Sequence, residues 1–195
     1  MRPARRREQG VTLVELLVVM AMMAVLGTIL VTITVSATRA SARQQDQTAT
    51  LNAAKLAMER ITREVRGANS MTYATPRQIS FVATYSGART TTSYSVVTTG
   101  TTSEISQSQT RVNLSTQVST SSTKKVLGGL AVGRSDAVFS YLDGAGVALA
   151  PASASPETYA PGAVKSVGVL IVMKRLYDAP AVQVRQVVSI RNFES

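Results

Sequence analysis

The chain has 195 residues, with 21 Lys plus Arg against 11 Asp plus Glu, no His, no Cys and 45% hydrophobic residues. Without Cys or His, disulfide staples, thiol nucleophiles, Cys/His zinc sites, Ser-His-Asp triads and imidazole acid–base chemistry are all excluded. The composition argues against an enzyme and for one modest globular domain with a core of Val, Leu, Ile and Ala, since there are three Phe, six Tyr and no Trp.

The first ten residues carry Arg2, Arg5, Arg6 and Arg7 and end in Gly10; residues 11–35 then form an apolar run in which Glu15 is the one charged side chain. At about 1.5 Å per residue, this run reaches roughly 37 Å as a helix, enough to cross a hydrocarbon core of about 30 Å with some tilt. The next cations are Arg39 and Arg43, so the basic leader keeps the N-terminus cytoplasmic and sends the rest of the chain out of the cytoplasm. A secretory signal peptide would share the basic start, and Val35-Ser36-Ala37 offers a small-residue cleavage site. Signal-peptide apolar regions, however, span only about 7 to 15 residues. A plain single-pass anchor accounts for length and orientation. It leaves Glu15 unexplained, because an acid at the bilayer midplane costs about 2.5 to 3.5 kcal/mol on insertion scales.

The string Arg7-Glu8-Gln9-Gly10-Val11-Thr12-Leu13-Val14-Glu15-Leu16-Leu17 resembles the cleavage and methylation motif of type IV prepilins and pseudopilins. The features shared are a short basic leader ending in Gly, an apolar residue after the cut, and Glu as the fifth mature residue. The resemblance implies that prepilin peptidase, a membrane aspartic protease, cuts between Gly10 and Val11 on the cytoplasmic side and methylates the new amine of Val11. Val11 stands where Phe is more usual. Loss of residues 1–10, which hold four Arg and one Glu, lowers the net side-chain charge from +10 to +7.

The cut exposes an α-amine whose ordinary pKa of about 7.7 to 8.0 leaves it largely cationic at the membrane edge. Glu15 lies about one helical turn from that amine in the same chain and within reach of the amine of a staggered neighbour. Because lipid penalises an isolated carboxylate, a pair between subunits would favour assembly and set axial register. The intersubunit pair is the expectation, and the resemblance implies it too. The implied partners are prepilin peptidase, other pilin or pseudopilin subunits and the cell membrane, with no cofactor and no metal.

Residues 36–67 continue the helix as an amphipathic half. They contain no Pro and no internal Gly, and Leu51, Ala54, Met58, Ile61 and Val65 fall on one face. Lys55–Glu59, Glu59–Arg63 and Arg60–Glu64 stand at helical neighbour spacing, and Gly67 supplies the stop. A helix over residues 11–66 would be about 84 Å long. Inside the span, Gly27 and Thr28 lower helix propensity, which serves either close helix packing or local extension.

Residues 68–195 read as the β-rich exported domain, and the expected fold is α+β: a long N-terminal helix packed on an antiparallel sheet, as in pilins. Expected strands are 78–85, 92–97, 111–118, 137–142, 147–150, 166–176 and 181–190. Turns are expected at Asp143-Gly144-Ala145-Gly146 and Tyr177-Asp178-Ala179-Pro180. Val182, Val184 and then Val187 suggest an apolar face with an irregularity. Residues 151–162, with Pro151, Pro156 and Pro161, read as an exposed loop. In residues 84–123, 22 of 40 are Ser or Thr, a poor core segment that suits edge strands or a loop. Asn113-Leu114-Ser115 matches a glycosylation sequon, a pattern of low specificity.

Three patches of the body are loosely similar to J-type minor pseudopilins and related minor pilins. They are residues 56–68, Val138-Phe139-Ser140-Tyr141-Leu142-Asp143-Gly144, and Val187-Val188-Ser189-Ile190-Arg191-Asn192. The resemblance implies a minor subunit of a type IV pilus or secretion pseudopilus, anchored in the inner membrane and then part of a surface or periplasmic filament. A binding module on the same anchor is the competing class. Its sharpest form is nucleic-acid capture by Lys124, Lys125, Lys174, Arg175, Arg185 and Arg191. Against it, these cations are scattered and no aromatic stacking set accompanies them.

Overall fold

The computed structural model describes residues 12–133, 135–154, 157–174 and 181–190. Two compact units divide the chain, residues 1–45 and residues 46–195. Helix α1 (Leu13–Arg66) supplies all the described secondary structure of the first unit and opens the second.

In the second unit α1 buries the expected stripe. Ala54, Met58, Ile61 and Val65 are almost fully enclosed, Leu51 is half-buried, and Ala57 and Thr62 widen the buried face. Arg63 and Arg66 place positive charge on the last turn, where the carbonyl ends are exposed. The Gly67 N–H donates to the Arg63 carbonyl at 3.2 Å, closing the helix.

Among the described residues ten strands follow: β1 (Ser70–Thr75), β2 (Gln78–Tyr85), β3 (Ala88–Thr99), β4 (Thr102–Asn113), β5 (Ser119–Leu130), β6 (Phe139–Leu142), β7 (Ser153–Ala154), β8 (Glu157–Thr158), β9 (Ser166–Met173) and β10 (Val182–Ser189). One antiparallel sheet has the order β1-β2-β3-β4-β5-β9-β10, with β6 paired to β9, while β7 and β8 form a separate short ladder. The inner face of the sheet carries Ile79, Phe81, Tyr94, Ile105, Val169 and Ile171, which join the α1 stripe in one apolar cluster. This is the α+β arrangement expected: a helix needs a partner for its apolar stripe, and a one-sided antiparallel sheet supplies it.

Residues 84–123 depart furthest from expectation. They are neither edge nor loop but contribute β3, β4 and part of β5, interior to the strand order. β3 and β4 run in unbroken register from Ala88↔Asn113 to Thr99↔Thr102. The physical reason is alternation: Tyr94, Ile105 and Gln107 point inward and are buried, while hydroxyls occupy the positions between them. Cross-strand hydroxyl contacts add support, as in Thr110–Ser121 at 3.0 Å and the Ser80–Ser93 pair.

Other elements are corrected in detail. The strand expected at 111–118 ends at Asn113, and residues 114–118 turn the chain into β5. Residues 147–150 form only an isolated bridge, Leu142↔Ala148. β1 was not expected. The expected 137–142 strand is shortened to β6, and β9 ends at Met173, with residues 175–176 outside the described set. Residues 151–162 include the β7–β8 ladder and the start of a 3-10 turn at Pro161–Ala163. No irregularity interrupts β10, which pairs continuously from Val182↔Met173 to Ser189↔Ser166. Val187 is exposed and Val188 is the buried member. The turn at Tyr177-Asp178-Ala179-Pro180 lies outside the described residues. The turn at Asp143 is as expected: the Asp143 carboxylate accepts from the N–H of Ala145 at 2.9 Å and of Val147 at 2.8 Å, and Gly146 takes φ +80°.

A polar lock holds the helix on the sheet. Of the expected helix pairs, Arg60–Glu64 forms at 3.3 Å. Arg60 Nη2 donates to Gln107 Oε1 at 2.7 Å, and Gln107 Nε2 donates to Glu64 Oε2 at 2.7 Å, closing a three-residue ring across α1 and β4. The neighbouring Tyr94 hydroxyl is buried without a hydrogen-bond partner, and burial together with the Glu64 carboxylate raises its pKa far above the usual tyrosine range. A buried donor in a satisfied ring is costly to remove, whereas an unpartnered hydroxyl contributes nothing by staying. Gln107→Leu is therefore expected to cost about 2 to 3 kcal/mol, and Tyr94→Phe to leave stability unchanged or raise it by about 1 kcal/mol. Denaturant unfolding of the detergent-solubilised chain checks both values.

Elsewhere on the sheet, Tyr141 is anchored by its hydroxyl, which donates to the Thr75 carbonyl at 2.7 Å. Tyr159 packs on that ring at 4.6 Å between centroids. Its own hydroxyl donates to Glu157, and partial burial with that carboxylate pushes its pKa up to about 12. This aromatic pair ties Tyr159, just after β8, to the core.

Candidate functional site

The site begins at Thr12, the first described residue, where the chain enters α1. Thr12 Oγ1 accepts from the Glu15 N–H at 3.3 Å, and the Thr12 carbonyl accepts from the Leu16 N–H at 3.2 Å. Thr12 is thus the N-cap of α1 and Glu15 its third residue. The pair matches the Thr-x-x-Glu signature of a helix start. The sequence expectation did not include this role of Thr12, although its spacing to Glu15 carries the signal. The cap fixes where α1 starts and leaves Glu15 on an exposed first turn, where the helix dipole favours an acid.

Past Glu15 the helix is apolar all round. Its large side chains are solvent-facing, from 67% for Met23 to 40% for Val35. A surface of this kind needs lipid or other apolar helices to cover it. The hydroxyls inside the run do not spoil it, because they fold back on the helix itself. Thr28 donates to the Val25 carbonyl at 2.7 Å, Thr32 to Thr28 at 2.8 Å, Thr34 to Leu30 at 2.8 Å and Thr38 to Thr34 at 2.6 Å. Each polar hydrogen is thereby satisfied without water, as hydrocarbon requires. The helix continues through Gly27 and Thr28, and the space a Gly27 side chain would fill is open.

Gly10, Val11 and the leader cations Arg2, Arg5, Arg6 and Arg7 lie outside the described residues, as do Arg175 and Arg191 of the scattered cation set. Lys125 of that set is paired with Glu104 at 2.7 Å. Among the described residues no group of three His, Cys, Asp or Glu side chains is placed to hold a metal.

Residues 5–34 match the family model described as the prokaryotic N-terminal methylation motif. No curated protein and no solved structure matches the chain. The motif points to a structural subunit, and with the apolar helix it supports a membrane-anchored protein. The methylation motif at the head of an apolar helix that goes on to pack on an antiparallel sheet supports a place for the chain in the type IV prepilin and pseudopilin family.

Proposed function

We propose that this chain is a minor pilin or pseudopilin. Prepilin peptidase cuts it between Gly10 and Val11, Val11 is N-methylated, and the mature subunit enters a type IV pilus or a secretion pseudopilus through residues 11–35. The observation that carries this reading is the match to the methylation motif over residues 5–34, which takes in Gly10, Val11 and most of the apolar run. Arg2, Arg5, Arg6 and Arg7 hold the leader in the cytoplasm, where the peptidase acts. Glu15 receives the new amine of a neighbouring subunit. Its position on the first turn of α1, with its side chain exposed and the helix already capped by Thr12, suits that role.

The minor role and the likeness to J-type subunits rest on the sequence patches at residues 56–68, 138–144 and 187–192, and on the absence of the Cys pair that closes a C-terminal loop in many major pilins. Quantitative mass spectrometry of sheared filaments tests it. The expected result is the mature chain present in the filament fraction at a small fraction of the major subunit. A stoichiometry equal to the major subunit would make it a shaft protein.

A further inference from the structure

Two turns at one end of the sheet present exposed apolar side chains. The turn between β2 and β3 and the turn between β4 and β5 lie side by side, because Ala88 pairs with Asn113 and the Leu114 N–H donates to the Gly87 carbonyl at 2.9 Å. From them Tyr85, Leu114 and Val118 project with 60%, 47% and 59% of their surface exposed. The turns are held firmly. Asn113 Oδ1 accepts from the Ser115 N–H at 3.0 Å, the Ser115 hydroxyl at 2.7 Å and the Thr116 N–H at 3.2 Å. Gln117 donates from its backbone to Asn113 at 2.8 Å and from its side chain to Leu114 at 2.9 Å. Ser86 and Gln117 are the non-glycine residues with positive φ among the described residues, at 48° and 57°, and both stand in this pair of turns. Left-handed backbone at such residues persists only where the surroundings over-determine it.

The charged side chains on these turns and on the strand ends that flank them are cationic. Arg89 lies opposite Val112 and Arg111 opposite Thr90, so the two exposed guanidinium groups flank the turns on opposite faces of the sheet. The end of α1 is adjacent, since the Tyr85 hydroxyl is 3.4 Å from where a Gly67 side chain would begin, and exposed Arg66 precedes it. Between Glu64 and Asp136 the sequence holds a single acid, Glu104, which sits near the other end of β4 and is paired with Lys125.

Apolar side chains ringed by cations match the boundary between phosphate headgroups and acyl chains. Two of the three apolar groups have no ring on which a base could stack, which disfavours nucleic acid. We propose that these paired turns are a docking tip for an anionic lipid surface: Tyr85, Leu114 and Val118 enter the headgroup boundary, and Arg66, Arg89 and Arg111 meet lipid phosphates. The tip does not depend on filament assembly.

The test uses the full chain anchored in neutral phosphatidylcholine vesicles, to which labelled phosphatidylcholine–phosphatidylserine vesicles are added. The expected result is vesicle capture that weakens with salt, falls on the order of 30-fold at low salt in Arg89→Gln/Arg111→Gln, and falls about tenfold or more in Leu114→Ser/Val118→Ser. Protease resistance of the variants confirms their fold, and the salt series on the unsubstituted chain reads the electrostatic part without any substitution. Equal capture of neutral vesicles, capture unchanged in both variants, or retention of labelled DNA without vesicle capture would overturn the proposal.

Discussion

Glu15→Leu is expected to reach the membrane and lose its leader as the parent does, yet to fall on the order of 100-fold in the filament fraction. The substitution makes the apolar run more hydrophobic, so insertion is not at risk. What it removes, in the proposed assembly, is the acceptor for a neighbour's N-terminal amine. Breaking one side of a buried ion pair costs about 3 to 5 kcal/mol, because the remaining charge is left without a partner in a poorly solvating medium. That cost converts to more than two orders of magnitude in an association constant. Glu15→Gln keeps the shape and a hydrogen-bond acceptor but no charge, so it is expected to lie between Leu and the parent. Comparison of membrane and sheared-filament fractions measures the partition. Equal incorporation of Glu15→Leu would show that the carboxylate has no part in assembly.

The second large effect is in the exported body. Ile61 is fully buried where α1 meets the sheet, and Ile61→Ala is expected to cost about 2 to 5 kcal/mol through lost burial and the cavity left behind. Leu56 is 66% exposed on the same helix, and Leu56→Ala is expected to change stability by less than about 0.5 kcal/mol. The contrast matters more than either value. Both changes shorten an aliphatic residue in the same helical stretch, so only the side on which each faces can separate them. Denaturant midpoints of the two variants in one detergent provide the comparison, and similar losses would mean that the stripe is not the face that docks.

Where the chain's chemistry is written in neighbouring residues, it is legible without a structure. The leader cations, Gly10, the apolar run and Glu15 are contiguous, and the stripe Leu51, Ala54, Met58, Ile61 and Val65 repeats with the helical period. The Asp143 turn is legible for the same reason, since its side chain bonds to N–H groups only two and four residues on. The centre of the sheet is hidden because residues 84–123 are rich in Ser and Thr and hold few large apolar groups, so their composition resembles that of a loop. Their alternation, with Tyr94, Ile105 and Gln107 inward and hydroxyls between them, carries the strand signal. Val187 misleads for a related reason: two adjacent valines leave the register open, and pairing with β9 turns Val188 inward. The Arg60–Glu64–Gln107 ring is not legible at all, because its members come from a helix and a strand 43 or more residues apart. Thr12 is readable as a cap from its spacing to Glu15, since its hydroxyl accepts from an N–H only three residues on.

The central claim is that the chain is a processed subunit that begins at Val11. Intact mass and N-terminal sequencing of the protein recovered from cells that contain its own peptidase test this most directly. The account predicts a chain starting at Val11 and carrying one methyl group on its amine. A chain that retains residues 1–10, or one that begins after Ala37, would contradict it.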